Sequence, residues 1–255
     1  MRLFLFTLIA TYALVAVVRR YAAAWGLVAI PNERDSHVAP TPRGGGIGIV
    51  IALIAAWAIS VPPAREHVIV ALSLLLVAVT SLIDDFRSLS ARVRLAAQFA
   101  AAIAIVLACG AVHSIAGIPL GLLAAPITCV WIVGVTNAFN FMDGIDGIAG
   151  MQALAGALAW TMIGRASGDG VLIAIGITLA AASLAFLMHN WQPARIFMGD
   201  VASAFLGCVF ATIPLLVRER ATERFPLAVL ILWPFLFDTT LTIIRRARRG
   251  ENIFR

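Results

Sequence analysis

Four polar side chains recur at three-residue intervals in the stretch Asn137-Ala-Phe-Asn-Phe-Met-Asp-Gly-Ile-Asp-Gly147: Asn137, Asn140, Asp143 and Asp146. They close a long apolar run, and a carboxylate left in hydrocarbon costs about 2.5–3.5 kcal/mol even on lenient insertion scales. Amides and acids so closely set call for a partner: a hard cation, a phosphate carried on one, or a sugar nucleotide. Gly144 and Gly147 predict that the helix unwinds here and turns its backbone toward a polar cavity. A plain Asx–Gly turn is the structural alternative.

Three other stretches carry comparable groups. Asp84 and Asp85 stand together at the end of an apolar run. Adjacent carboxylates on a helix end point in different directions. At most one is therefore expected to cap or pair structurally, leaving the other to bind metal or take a proton; an interfacial pair neutralised by Arg87, Arg92 or Arg94 is the structural alternative. Phe197-Met-Gly-Asp200 precedes another run, where Asp200 either caps the helix, with Ser203 three residues on, or holds a hard cation. The segment from Pro31 to Gly46 contains Arg34, His37 and Arg43. Its prolines stiffen the loop, and Gly44–Gly46 are expected to offer backbone amides to a ligand. His37 alone reads as a loop hydrogen-bonder.

The elements that must position these groups follow from composition. Of 255 residues 62% are hydrophobic and 13% charged, with mean hydropathy +0.98. A soluble domain carries nearly twice that charge, so the class is an all-α polytopic membrane bundle. Nine apolar runs are candidate spans: 3–18, 47–61, 68–83, 95–112, 118–135, 148–163, 171–188, 201–217 and 226–244. The net charge of +6 comes from 19 arginines with no lysine. That surplus suits anionic membrane surfaces and phosphates, and it is too dispersed for a nucleic-acid patch. Arginines concentrate in the loops after the odd-numbered runs and in the tail from Arg245. Positive-inside logic thus puts the N-terminus outside and the C-terminus in the cytoplasm. All four polar stretches then face the cytoplasm. Cys109, Cys129 and Cys208 lie in separate apolar runs and read as small core residues.

Together, Pro31–Gly46, Asp84-Asp85, Asn137–Gly147, Phe197–Gly207 and the tail DTTLTIIRRARRGENIF resemble the polyprenyl-phosphate N-acetylhexosamine-1-phosphate transferases. The loop Pro-Thr-Pro-Arg-Gly-Gly is closer to their undecaprenyl-phosphate GlcNAc-1-phosphate branch than to the phospho-MurNAc-pentapeptide branch. The resemblance implies transfer of a sugar 1-phosphate from a UDP-amino sugar to undecaprenyl phosphate, releasing UMP and initiating O-antigen or similar envelope glycan. It places the chain in the bacterial inner membrane with its active site facing the cytoplasm. It also implies magnesium, or manganese in its place, held by Asp200 and Asn140. Asp84 or Asp85 would keep the lipid phosphate deprotonated for attack. Phe197 would stack on uracil, Asp146 and the backbone near Gly144 would bind it, and Asp143 would lie near the sugar phosphate. Asn137, His37, Arg34 and Arg43 complete the substrate contacts, the two arginines on phosphates. A homodimer is one assembly this allows.

Three departures qualify the match. Ser88 stands where a third carboxylate is often found, a lysine near the site is missing, and relatives continue past the ENIF segment into a His-rich loop and further helix. The expectation is a single domain over 1–255 lacking those parts, with a catalytically silent protein of the same fold as the second reading. A transporter would carry its acids near span midpoints, whereas these sit at span ends.

Overall fold

The computed structural model describes residues 1–30, 40–217 and 220–250. Arg34 and His37 lie outside the described residues. Ten α-helices are described: α1 (Arg2–Tyr21), α2 (Gly46–Ser60), α3 (Arg65–Arg87), α4 (Ala91–Cys109), α5 (Ala124–Met142), α6 (Ile148–Ser167), α7 (Gly170–Asn190), α8 (Asp200–Thr212), α9 (Ala221–Ile231) and α10 (Trp233–Arg248). Two short antiparallel ladders, Val28–Ala29 with Thr41–Pro42 and Ser114–Ile115 with Ile118–Pro119, tie off loops. In the second, Ala116 and Gly117 both take positive φ, the geometry of a two-residue hairpin turn.

Each of the nine apolar runs lies wholly or largely on helix. By length and composition, five described helices can cross a membrane, or six if α9 and α10 count as one broken span; α2 and α8 are shorter apolar helices. The 118–135 run is displaced from its helix, because the hairpin takes its first residues and α5 continues to Met142. Asn137 and Asn140 therefore ride on the last turns of α5, and the unwinding expected at the glycines is confined to 143–147.

Packing centres on α8. Every residue from Val201 to Thr212 is buried, against α5, α3 and α2. The α5 contact is backbone-close: a Cβ on Gly207 would stand 2.8 Å from Thr136 Cα and from Phe139 Cβ. α6 and α7 pack through Gly150, Gly164 and Gly176, each of which meets the facing helix at distances a side chain would violate. Small residues are how helices approach closely where no hydrophobic gain separates protein from lipid. α1 presents Thr7, Thr11, Val15 and Val18 as one buried stripe and lies on α7 and α2.

Short connections make successive helices alternate in direction. The start of α2 and the turns 87–91, 142–148 and 190–200 therefore gather at one end. The opposite end is tied by Thr128, whose hydroxyl accepts from Val112 N at 3.0 Å, and by an ion pair between Arg224 of α9 and Asp169, the N-cap of α7.

Candidate active site

The gathered end is built by two loops lying side by side. Phe197 N donates to the Pro42 carbonyl at 2.8 Å, Gly45 N to Phe197 O at 3.0 Å and Gly46 N to Met198 O at 2.9 Å. Of the three glycine amides expected to meet a ligand, those of Gly45 and Gly46 are thus committed to the chain itself. The glycines are there for space: a Cβ on Gly45 would stand 2.9 Å from the Phe186 ring, and one on Gly46 2.8 Å from the Met198 carbonyl oxygen.

That clasp sets α8 beside the end of α3. Asp85 accepts from Asp200 N at 3.1 Å and Val201 N at 3.0 Å, so it caps α8 from another helix. Gly199 is the N-cap residue, at φ +80, and Asp200 opens the helix without capping it. Asp84 is engaged as well. Its carboxylate pairs with Arg94 Nη1 at 2.6 Å and accepts from Leu89 N. Ser88, at φ +30, turns the chain to bring that amide round. The expectation that only one of the two carboxylates pairs structurally is therefore corrected: both do, because α4 and α8 each supply donors. Arg43 lies alongside, its guanidinium donating to the Asp85 backbone carbonyl.

Asn140, on the last turn of α5, donates from Nδ2 to Asp200 Oδ1 at 2.9 Å and Ser203 Oγ at 2.8 Å. Arg94 Nη1 lies 3.9 Å from Asp200 Oδ2, with both side chains about two-fifths exposed. Arg94 thus bridges Asp84 and Asp200. It supplies the cation beside the acids in a chain without lysine. Asp143 follows α5, and its carboxylate makes no hydrogen bond among the described residues. Burial and the charges of Asp200 and Asp85 push that carboxyl well above the usual range.

The remaining predicted residues sit around this core. Asp146 Oδ2 accepts from Ala194 N at 2.9 Å. Asn190, which nothing in its sequence surroundings singled out, accepts from Gly147 N and donates to Ile196 O, both at 2.9 Å, so it locks the 143–147 turn to the 190–200 loop. A groove of ≈ 500 Å³ opens beside Asp146, with Met142, Trp191, Gln192, Pro234 and Phe235 among its walls. Gly144 is exposed with open space around it. Phe197 is half-buried and does not line that groove. Asn137 is held one turn away from the cluster, donating to Gln98 Oε1 at 2.6 Å and Val133 O at 2.8 Å.

The donor set at the cluster is all hard oxygen, which suits a small divalent cation. The uncompensated Asp143 is the group such a cation would relieve. Among the described residues no three His, Cys, Asp or Glu side chains already stand in metal-holding geometry. The residues fit magnesium by the chemistry of their donor atoms and by the surplus of negative charge they gather.

A bundle of apolar, membrane-capable helices gathers its carboxylates at one end, as a site at a membrane face would. Comparison with known proteins makes this specific. The pattern of Glycosyl transferase family 4 matches residues 67–218, and the chain belongs to that family. It is 32% identical to the probable undecaprenyl-phosphate N-acetylglucosaminyl 1-phosphate transferase of Bacillus subtilis (strain 168), over 98% of this chain and 72% of that one. It is also 32% identical to decaprenyl-phosphate N-acetylglucosaminephosphotransferase of Mycobacterium tuberculosis (strain CDC 1551 / Oshkosh), over 96% of this chain and 70% of that one. Similarity to phospho-N-acetylmuramoyl-pentapeptide-transferase of Streptococcus suis (strain 05ZYH33) is 32% over 53% of this chain and 42% of that one.

Proposed function

We propose that this chain transfers an N-acetylhexosamine 1-phosphate from a UDP-amino sugar to undecaprenyl phosphate, releasing UMP and starting an envelope glycan. The observation that carries the reading is the meeting of Asp84, Asp85, Asn140, Asp143 and Asp200 at one end of an apolar bundle, beside a groove walled by the Asp146 turn. In this reading the bundle sits in the bacterial plasma membrane with the N-terminus outside and the acidic end in the cytoplasm.

The donor's base enters the groove, where the Asp146 oxygen not bonded to Ala194 accepts from the uracil N–H and the exposed turn at Gly144 leaves room for backbone contact. Asp200 and Asn140 would hold magnesium, which when bound supplies charge neutralisation on the pyrophosphate. Asp143 lies toward the sugar phosphate. Asp85, fixed by the α8 amides, stands ready to hold the acceptor phosphate in its deprotonated state, and Arg94 and Arg43 offset the charge of two anionic reactants. The apolar walls at Met142, Pro234 and Phe235 give a prenyl tail a dry approach. UMP release by reconstituted protein, with and without undecaprenyl phosphate and magnesium, tests the reading. Release that depends on both is expected. Release indifferent to the lipid would overturn it.

A further inference from the structure

We propose that α10 lies in the plane of the membrane surface at the acidic end of the bundle, where its arginines bind anionic phospholipid headgroups.

Three geometric facts carry this. First, α10 leaves α9 at a 70° bend, with Pro234 in its first turn. Second, residues near both ends of α10 reach the last turns of α5. Phe235 packs 5.0 Å from the Phe139 ring, and the Arg246 guanidinium lies 6.0 Å from the Phe141 ring. Residues 235 and 246 are separated by about 16 Å along α10, but their partners by about 3 Å along α5. α10 therefore crosses the end of α5 steeply. Third, its sequence makes three faces at 3.6 residues per turn. Phe235 and Thr239 are buried inward. Trp233, Phe237 and Ile244 form an outward apolar face, exposed by 54%, 52% and 43%. Asp238, Arg245 and Arg249 share an edge between the two.

A spanning helix would drag that edge through hydrocarbon, and 16 residues with Asp238 exposed near the middle fall short of a crossing. Lying flat resolves both problems. The apolar face enters the acyl boundary and the edge meets water, which is the arrangement of an interfacial helix. Arg245, Arg246, Arg248 and Arg249 then fall at headgroup depth, with Arg248 on the apolar side able to extend its head outward. Asp238 is the only acid on this helix, so the surface complements an anionic leaflet. Because α10 also walls the groove beside Asp146, the lipid surface braces one side of the proposed donor site.

The test uses full-length protein with its cysteines replaced, in vesicles of phosphatidylcholine and phosphatidylglycerol. Nitroxides at Phe237→Cys and Ile244→Cys occupy one face. In-plane placement gives them equal, shallow depth and leaves a label at Asp238→Cys open to a water-soluble quencher. A spanning α10 would separate the first two by about 10 Å, which would overturn the proposal. A photoactivatable phosphatidylglycerol headgroup should crosslink α10 in preference to its zwitterionic analogue. That preference should fall about fivefold for each arginine removed across R245Q, R248Q and R249Q. An unchanged preference in the triple variant would overturn the lipid assignment. Neither readout needs turnover, so absence of UMP release would count against the proposed function alone.

Discussion

At one end of the bundle Asp169 meets Arg224 one to one, and at the other Asp84, Asp85, Asp143 and Asp200 share Arg43 and Arg94. The first arrangement closes on itself. Arg224 is almost wholly buried, its Nη2 lies 2.6 Å from Asp169 Oδ2, and the carboxylate also caps α7 through Leu172 N. Burial works to raise the Asp169 carboxyl, but the Leu172 amide and the Arg224 hydrogen bond and charge hold it below its usual value. The second arrangement carries surplus negative charge and pushes Asp143 the other way. A protein spends a matched pair on holding helices together. An unmatched set is tolerable only where something cationic arrives, and that is the signature of a working site.

The contrast can be broken most forcefully at Asp85. Asp85→Asn should reduce turnover by on the order of 10²–10³, and it should also lower the melting temperature, since the α8 amides lose a charged cap worth about 1–2 kcal/mol. At the opposite end, Arg224→Gln should destabilise by about 3 kcal/mol, because it strands a half-buried carboxylate. The folded fraction should keep its turnover number, read as UMP release per inserted molecule.

The pH dependence separates the ends by sign. Asp169 is depressed, so its stabilisation is complete above the usual carboxylate range and is lost as pH falls through its folded value. Thermal melts of wild type below about pH 4 should show that loss, and Arg224→Gln should flatten it. Asp143 is raised, so the stability it contributes when protonated is lost as pH rises through its elevated value. Asp143→Asn should then raise the melting temperature of the cation-free protein at neutral pH while impairing transfer. An effect of opposite sign is expected of Gly46→Ala, at about 1–3 kcal/mol of destabilisation from overpacking against Met198 and Ala202.

Much of this was legible from residue order. Apolar runs located the helices, and counting their alternation put Asp84, Asp85, Asn140, Asp143 and Asp200 on one face. What stayed hidden were contacts between residues distant in the chain. Asp85 finds the α8 amides 115 and 116 residues away, and Asn190 reads as an ordinary helix-end amide until its ties to Gly147 and Ile196 are seen. Arg94 reads as one of several loop arginines, although it supplies the positive charge that a missing lysine left unassigned. Run length could not reveal the bend at Leu232 either, because hydropathy averages over a break in direction. The triple glycine misled for a related reason: flexibility and close packing ask for the same residue.

The most direct test of the central claim, that the unmatched acids are the working site, is UMP release by Asp200→Asn beside wild type at equal insertion, across a magnesium titration. Asp200 takes no part in holding α8 that Asn could not take, so the protein should insert and melt much as wild type while turnover falls by about 10³-fold. Full turnover with an unshifted magnesium dependence would contradict the account.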